Sequence, residues 1–270
     1  MNGLKHFVLW LDAPIEDVTY RKITEYIDCL LSQRLRPKTI NCYLNTVCQF
    51  YHYLIEEEGF QLINPVKKPN IMKLPRGLPR HLKDEHIEVL FKNLKSQRDN
   101  AMFMLMLRCG LRVEEAANLS LGNIDIKRRT LHVQDGKGAK DRIVYISNDA
   151  LGALLAYLRV RPANKVKKVF LVEKGPLTGQ PLSIRAIQKR MEYYARKTNL
   201  RISCHHLRHT MATQMLNADA DLSTIQDLLG HNSIRTTQRY CRVSNLKVQR
   251  DYFKAMEVIM QRTACNPDNP

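Results

Sequence analysis

The sequence predicts a mainly α-helical protein with a small antiparallel β-hairpin or sheet, divided into two domains. Apolar residues recur at helical spacing through most of the chain. Two β-rich runs at 130–134 and 142–146 flank a glycine-containing turn, which is the pattern of a hairpin. A proline-rich basic stretch at 64–80 interrupts the helical pattern. We therefore expect a helical N-terminal domain at 1–63, a linker at 64–80 and a larger domain at 81–270.

The N-terminal domain is predicted to contain two main helices. Ile23, Ile27 and Leu30 follow the rhythm of a helix that buries one face. Pro37 begins a second helix that runs to about Glu58, since proline fits the first turn of a helix. Aromatic residues on this second helix either pack in a core or contact nucleic-acid bases, and their spacing favours the core. These residues are Tyr43, Phe50, Tyr51 and Tyr53.

Basic residues concentrate in the loop between these helices and in the linker. Prolines break any helix across the linker, and its basic residues meet no acidic one. Loops and extended segments of this kind commonly contact phosphates, although a solvated surface explains the loop residues almost as well. The predicted phosphate-contacting residues are Arg34, Arg36 and Lys38 in the loop, and Lys67, Lys68, Lys73, Arg76 and Arg80 in the linker.

The larger domain is predicted to begin with helices and to continue through the hairpin. A helix begins near Leu82, and an apolar helix covers 101–107 and ends at Gly110. The next helix carries Arg112 in its first turn. After the hairpin, helical patterns fill most of 149–260.

The charge of the chain indicates a polyanionic partner. Its 270 residues carry a formal net charge of +17, and its pI is near 9.7. Because each neutralised phosphate releases condensed counterions, this charge is typical of a nucleic-acid binder, the alternative being a soluble surface with spare lysines. The seven cysteines form no Cys-x-x-Cys pair and indicate reduced thiols. No run approaches the roughly 20 apolar residues of a membrane span, so we expect a cytoplasmic protein without a membrane partner.

A tyrosine near the C-terminal end has cationic residues around it in the sequence. Asn232 and Ser233 are good N-cap residues and predict a helix that carries Tyr240 about two turns in. A tyrosine hydroxyl has an unperturbed pKa near 10, so it attacks only when cations surround it and a neighbour takes its proton. His205 and Arg208 lie one helical turn apart and therefore point to one face.

The remaining cations complete a set suited to phosphoryl transfer without a metal. Arg112 and Arg208 can each bind two phosphate oxygens, and Lys137, between two glycines of the turn, can reach a leaving oxygen. Each of these residues taken alone is more often structural, so the prediction depends on the set. A metal site on His205 and His209 lacks the carboxylate or cysteine pair that usually completes one. We therefore expect no metal and no cofactor.

These residues occur in an order that resembles the tyrosine recombinase (phage integrase) family, from about residue 20 to residue 243. The resemblance rests on the stretches Cys109-Gly-Leu-Arg112-Val-Glu-Glu115, Gly136-Lys-Gly-Ala-Lys-Asp-Arg142, His205-His-Leu-Arg208 and Leu228-Leu-Gly-His231, with Tyr240 nine residues later. It implies that the catalytic residues are Arg112, Lys137, His205, Arg208, His231 and Tyr240. It also implies that Glu115 supports this set, and we count Lys140, the neighbour of Lys137, among the DNA-binding residues.

The resemblance implies a reaction that needs neither ATP nor a metal. The tyrosine would attack a DNA phosphodiester, form a 3′-phosphotyrosyl bond and free a 5′-hydroxyl. The bond energy would stay in the covalent linkage, so that strands can be exchanged and resealed. The implied roles are phosphate binding for Arg112, Arg208 and His231, protonation of the leaving oxygen for Lys137, and proton transfer at Tyr240 for His205.

The resemblance also implies an assembly. The two domains would form a C-shaped clamp around double-stranded DNA, and four protomers would assemble on two specific recombination sites. We expect a monomer or weak dimer when free, and association with the nucleoid when bound. Residues 246–260 suggest a helix that docks on a neighbouring protomer or packs within its own chain. The family's first helix is expected to be absent or abbreviated in residues 1–63.

Two rival functions remain open at this point. One is a DNA-binding regulator that keeps the fold without turnover, which the filled catalytic positions argue against. The other is a type IB topoisomerase-like enzyme, which relaxes a single duplex by the same chemistry. A covalent DNA adduct separates an enzyme from the regulator, and a recombinant product separates a recombinase from the topoisomerase.

Overall fold

The computed structural model describes residues 3–74, 81–134, 141–230, 236–238 and 250–257. The chain divides into two compact units, Met1–Gly77 and Leu78–Pro270, which are described separately. Within the described ranges, no helix is both long and apolar enough to cross a membrane.

The described residues of the first unit contain three α-helices. They are α1 (Gly3–Trp10), α2 (Tyr20–Ser32) and α3 (Pro37–Glu56). The Oγ1 atom of Thr19 caps α2 by accepting the Lys22 N–H at 3.3 Å, and Pro37 stands in the first turn of α3. Helices α2 and α3 coincide with the two predicted helices, and α1 precedes them.

Aromatic side chains form much of the core of the first unit. Tyr26 and Tyr51 are buried, and the Tyr51 hydroxyl donates to the carbonyl of Ile15 at 2.7 Å. Tyr43 and Phe50 are partly buried against the same core. Tyr53, by contrast, is 50% exposed. The interpretation of these aromatics as core residues therefore holds for Tyr51, whereas Tyr53 lies on the surface.

The start of the predicted linker packs on the first unit instead of running extended. Val66 is buried in its core. The side-chain amide of Asn41 donates to the carbonyl of Met72 at 2.9 Å, and its oxygen accepts the N–H of Met72 at 3.0 Å. This two-point contact and the burial of Val66 hold the segment on α3. The linker residues Arg76 and Arg80 lie outside the described ranges.

The described residues of the second unit form a small sheet and a series of helices. The helices are α4 (Asp84–Lys92), α5 (Gln97–Arg108), α6 (Val113–Asn118), α7 (Asn148–Val160), α8 (Ile184–Lys197), α9 (Cys204–Asn217) and α10 (Leu222–Leu229). The strands are β1 (Ile124–Asp125), β2 (Thr130–Val133) and β3 (Arg142–Tyr145). Residues 250–257 are also helical. This architecture confirms the predicted mainly α fold.

The sheet is antiparallel, with the strand order β1-β2-β3. Leu131 pairs with Val144, and both side chains are buried on the core face. The pairing of Val133 with Arg142 closes the hairpin, so residues 134–141 connect these two strands. The hairpin was predicted from sequence, whereas the two-residue strand β1 was not.

Helix α5 is the centre of the second unit, and it packs against α7 and α9. Most of its apolar side chains are buried all round the helix. Near its N-terminal end the carboxylate of Asp99 is 0% exposed and accepts from Arg98 (2.7 Å), Arg190 (2.8 Å) and the hydroxyl of Tyr194 (3.0 Å). A buried carboxylate needs such partners to remain charged. This network anchors the start of α5 to α8.

The segment between α7 and α8 is irregular, where helical patterns had been expected. Arg161 donates to the carbonyls of Val166 (2.6 Å), Lys168 (2.7 Å) and Val169 (3.0 Å). One guanidinium thus supplies the hydrogen bonds that helix formation would otherwise give to these carbonyls.

Candidate active site

The end of α5 brings three elements close together. Gly110 follows the helix with φ of +66°, a conformation that glycine adopts without strain. A Cβ atom at this position would lie only 2.9 Å from the Leu229 Cδ2 atom and 3.3 Å from the Met211 sulfur. Glycine therefore allows α9 and α10 to approach the start of α6, where Arg112 stands.

Arg112 is the N-cap residue of α6, and Glu115 holds it there. The Arg112 backbone N–H donates to Glu115 Oε2 at 2.7 Å, and its Nη1 donates to Oε1 at 2.6 Å. The Arg112 Nη2 atom donates to the carbonyl of Gly230 at 3.3 Å. The guanidinium of Arg112 is therefore oriented from both sides, by a carboxylate of its own helix and by the end of α10.

Arg208 reaches the same place from α9. Its side chain is only 2% exposed. Its Nη1 donates to the carbonyl of Gly110 at 2.6 Å, and its Nη2 donates to the carbonyl of Leu229. Its Nη1 also lies 3.9 Å from Glu115 Oε2. Arg208 therefore ties the ends of α5 and α10 to the carboxylate that orients Arg112.

A pocket of about 430 Å³ opens beside these residues. Arg112, His205 and Arg208 all line it, so three of the predicted catalytic residues face one cavity. Helix α8 also lines it, through Arg185 and Gln188 among others. Two guanidiniums and an imidazole on one cavity form a suitable site for an anionic group.

A third guanidinium, which the sequence analysis did not single out, belongs to this cluster. Arg142 begins β3, and its side chain is 7% exposed. Its Nη1 and Nη2 atoms donate to Glu115 Oε1 at 2.9 Å and Oε2 at 2.8 Å, and its Nε donates to the carbonyl of Leu228 at 2.8 Å. Arg142 stands in the stretch that resembles the family, but only the lysines before it were assigned a role.

Glu115 is the shared partner of these guanidiniums. Its side chain is 3% exposed, and burial by itself raises the pKa of the carboxyl group. The hydrogen bond and charge of Arg142, the backbone N–H of Arg112 and the charge of Arg208 outweigh burial and hold the pKa at about 2. Glu115 is therefore a carboxylate at neutral pH.

The imidazole of His205 favours its neutral form. Partial desolvation of the ring lowers its pKa from the ordinary value of 6.5, and the nearby charges of Arg208, His206 and Arg112 lower it further. Its ring packs edge-on against that of His209, with centroids 4.5 Å apart. A neutral imidazole at neutral pH can accept a proton.

Several predicted residues lie outside the described ranges. They are Lys137, Lys140, His231 and Tyr240. The described chain nevertheless flanks some of them. Arg142 follows the connection that carries both lysines, and Gly230, whose carbonyl accepts from Arg112, directly precedes His231. Residues 236–238 are helical, and Thr237 among them is buried.

The remaining DNA-binding predictions fall on the surface of the first unit. Each of these side chains is exposed: Arg34, Arg36, Lys38, Lys67, Lys68 and Lys73. Lys67 also lies over the ring of Tyr20, 5.8 Å from its centroid. In the ranges that the structure covers, no group of three His, Cys, Asp or Glu side chains is arranged to hold a metal ion.

Comparison with known proteins identifies a family that the chain matches and relatives with similar sequences. Residues 80–247 match the profile of the phage integrase family. The chain is 34% identical over 256 residues to the tyrosine recombinase XerC of Thermodesulfovibrio yellowstonii, covering 90% of this chain and 83% of that protein. It is 37% identical over 212 residues to the tyrosine recombinase XerC of Actinobacillus succinogenes, covering 76% of this chain and 70% of that protein.

Solved structures share the fold. The XerH site-specific recombinase bound to a palindromic difH substrate, in a post-cleavage complex, superposes with a TM-score of 0.75. The superposition covers 93% of this chain and 76% of that chain at 20% identity. The XerA recombinase superposes with a TM-score of 0.59 at 24% identity, covering 94% of this chain and 89% of that chain.

Proposed function

The chain belongs to the phage integrase family and is a site-specific DNA recombinase, and we propose that it cuts and rejoins strands through a covalent bond between Tyr240 and DNA. The observation that carries this proposal is the convergence of Arg112, Arg208 and His205 on one pocket, with both arginines held by the buried carboxylate of Glu115. That pocket has the charge and the donors that a phosphodiester requires.

The scissile phosphate is bound in this pocket. Arg112 and Arg208 balance the charge on its non-bridging oxygens, and His231 adds a third donor. Because Glu115 and backbone carbonyls already fix both guanidiniums, they do not have to reorganise when charge develops in the transition state.

Proton transfers accompany the attack. The oxygen of Tyr240 forms a bond to phosphorus as its proton passes to the neutral His205. The bond to the 5′-oxygen breaks, and Lys137 donates a proton to that oxygen, which leaves as a hydroxyl. Attack by a 5′-hydroxyl on the phosphotyrosyl bond reverses these steps and reseals the strand.

The size of the barrier explains why several residues act together. Uncatalysed cleavage of a phosphodiester is so slow that the required rate enhancement corresponds to about 20 kcal/mol. One donor directed at the developing charge supplies roughly 3–4 kcal/mol. Several residues must therefore act on one tyrosine and its phosphate, and the proposed site supplies two arginines, two histidines and a lysine.

Double-stranded DNA is the partner of the chain, and recombination requires two DNA sites. We propose that four protomers assemble on a pair of sites and that the free protein is a monomer or weak dimer. Arg34, Arg36, Lys38, Lys67, Lys68 and Lys73, with Arg76, Arg80 and Lys140, contact the DNA backbone. The protein acts in the cytoplasm, where the chromosome lies in a prokaryotic cell.

The test is to capture the covalent intermediate. Purified protein is incubated with fragmented genomic DNA from the organism that carries its gene, and denatured protein–DNA adducts are isolated and their ends sequenced. We expect one recurring sequence, attached through its 3′-phosphate. Tyr240→Phe should give no adduct, whereas Tyr145→Phe, which changes an exposed tyrosine of the same unit, should give the wild-type yield.

The outcome also decides between the rival functions. An adduct that persists in Tyr240→Phe would contradict the proposed nucleophile, and no adduct in the wild type would favour a DNA-binding regulator. When the captured site is supplied on two duplexes, a recombinant product is expected. Relaxation of a supercoiled plasmid without any recombinant product would favour a topoisomerase-like function.

A further inference from the structure

Arg142 connects three chain segments that the proposed mechanism uses. As the first residue of β3, it directly follows the hairpin connection at 134–141 that carries the proposed general acid. Its guanidinium binds Glu115 on α6 and the carbonyl of Leu228 on α10. A Cβ atom on Gly230 would lie 3.1 Å from the Arg142 Cδ atom, so the end of α10 packs directly on this side chain.

Arg142 also sets the charge balance of the cluster. Within the described chain, the single negative charge of Glu115 faces three guanidiniums, those of Arg142 (2.8 Å), Arg112 (2.6 Å) and Arg208 (3.9 Å). Arg142 covers both carboxylate oxygens in a two-point contact. If Arg142 were removed, Arg112 and Arg208 alone would have to compensate the carboxylate.

This redistribution would weaken phosphate binding. A guanidinium that is paired with a buried carboxylate attracts a nearby phosphate less, because the carboxylate repels the phosphate and offsets part of that attraction. With Arg142 present, the cluster offers the phosphate two positive charges in excess. Without Arg142, the excess falls to one.

We propose that Arg142 is a positioning residue for strand cleavage, which keeps Glu115 paired so that the positive charge of Arg112 and Arg208 acts on the scissile phosphate. The inference rests on the proposed function. Arg142 does not itself line the pocket, so it acts through the two arginines that do.

The test compares two substrates. One is a nicked duplex of the captured site, and the other carries a methylphosphonate at the scissile position, which removes one negative charge from the phosphate. We expect Arg142→Met to slow adduct formation on the ordinary substrate by roughly 100-fold, the scale of one lost donor. On the neutral substrate the loss should be at least about tenfold smaller, because less positive charge is needed there.

A second pair of variants tests the role of Glu115. In the double variant Arg142→Met with Glu115→Gln, no buried carboxylate remains to draw charge from the two pocket arginines. This double variant should cleave faster than Arg142→Met alone. Arg142→Lys, which keeps the charge without the two-point geometry, should fall between the wild type and Arg142→Met, and it provides a folded variant if Arg142→Met is unstable.

Arg98→Met is the matched structural control. Arg98 is also 7% exposed in the same unit and binds a buried carboxylate, that of Asp99, but it lies outside the phosphate pocket. Its loss should lower the melting temperature and slow cleavage equally on both substrates. Equal losses on both substrates in Arg142→Met and Arg142→Lys would overturn the inference. Failure of the wild type to form any adduct would instead refute the proposed function.

Discussion

The guanidinium of Arg142 and the carboxylate of Glu115 form a buried two-point ion pair, with distances of 2.9 Å and 2.8 Å. The pair joins strand β3 to helix α6, and its two residues lie 27 positions apart in the sequence. Arg112 donates to the same carboxylate through its backbone and its side chain. One acidic residue therefore pairs with both arginines, and the orientation of Arg112 in the pocket depends on it.

Replacing that acid should destabilise the protein. Glu115→Gln leaves buried guanidiniums without their counter-charge, and we expect a loss of about 3–5 kcal/mol in the free energy of unfolding, measured with urea at pH 7. Glu114→Gln changes the exposed neighbour and should stay within about 0.5 kcal/mol of the wild type. Equal stabilities of the two variants would show that the pair contributes nothing.

The same residue predicts a pH dependence of stability. The pKa of Glu115 is about 2 in the folded protein and ordinarily 4.5, so its stabilisation is complete above pH 4.5. It is lost as the pH falls towards 2. The difference in unfolding free energy between wild type and Glu115→Gln should therefore shrink across this interval. A difference that stays constant from pH 7 to pH 3 would contradict the assigned pKa.

Arg208 should matter for cleavage far more than for DNA binding. Removing one such donor from a preorganised site slows the reaction by roughly 100- to 1,000-fold. Arg208→Ala should therefore suppress adduct formation, whereas DNA affinity in a gel-shift assay stays within about tenfold because other basic surface supplies most of it. The exposed Arg201→Ala serves as a control and should cleave normally. A collapse of binding together with cleavage would contradict the role of Arg208.

Gly230 should not tolerate a side chain. Its φ is +60°, and a Cβ atom would press on Arg142 at 3.1 Å. Gly230→Ala should therefore lose both stability and cleavage rate, with roughly 1–3 kcal/mol from the backbone alone. Gly175→Ala has the backbone penalty without a contact, since φ is +92° and no atom lies within 4 Å. If both variants lose cleavage equally, contact with Arg142 is irrelevant to the reaction.

The cleavage rate should fall in acid because of His205. Desolvation and neighbouring cations lower its pKa below 6.5, so the neutral imidazole, which accepts the tyrosine proton in the proposed mechanism, predominates at pH 7. The single-turnover rate of adduct formation should be level near neutral pH and should decline only at a pH below 6.5. His205→Gln should be slower throughout and should lack this inflection. An unchanged inflection in the variant would assign it to another group.

Phosphate contacts by the first unit should appear in the salt dependence of binding. Each lost contact reduces the slope of log affinity against log salt by about 0.9. Replacing Arg34, Arg36 and Lys38 together with glutamine should therefore lower the slope by up to about three. Arg21→Gln, at an exposed position on α2 beside Glu25, should change it by less than one. An unaltered slope in the triple variant would remove these residues from the interface.

Most of the fold could be predicted from local sequence. Pro37 and the apolar periodicity of α2 and α3 act within one helix, and the hairpin follows from two short runs and a turn. The irregular segment after α7 could not be predicted, because its carbonyls accept hydrogen bonds from Arg161, and the orientation of that side chain depends on tertiary packing. Strand β1 contains only two residues, which is too short for a periodic signal.

The part of the candidate site that depends on local geometry could also be predicted from the sequence. Arg112 and Glu115 lie within one helical turn, and so do His205 and Arg208, so their proximity follows from local geometry. Arg142 was missed because its burial and its contact with Glu115 arise only when the sheet packs on α6 and α10. In sequence it is one arginine among many in a strongly basic chain.

The burial of helix α5 implies that the pocket arginines are ordered when the chain folds. Near its start, Asp99 accepts a hydrogen bond from Arg190 of α8. Its end leads to Gly110, whose carbonyl accepts a hydrogen bond from Arg208. A segment so enclosed should be among the last to exchange its amide hydrogens with solvent, since it opens only when the whole unit unfolds. Arg112 and Arg208 are thus in position once the chain has folded, before any DNA binds. In the proposed mechanism, the binding energy of the duplex is then not needed to order these two side chains.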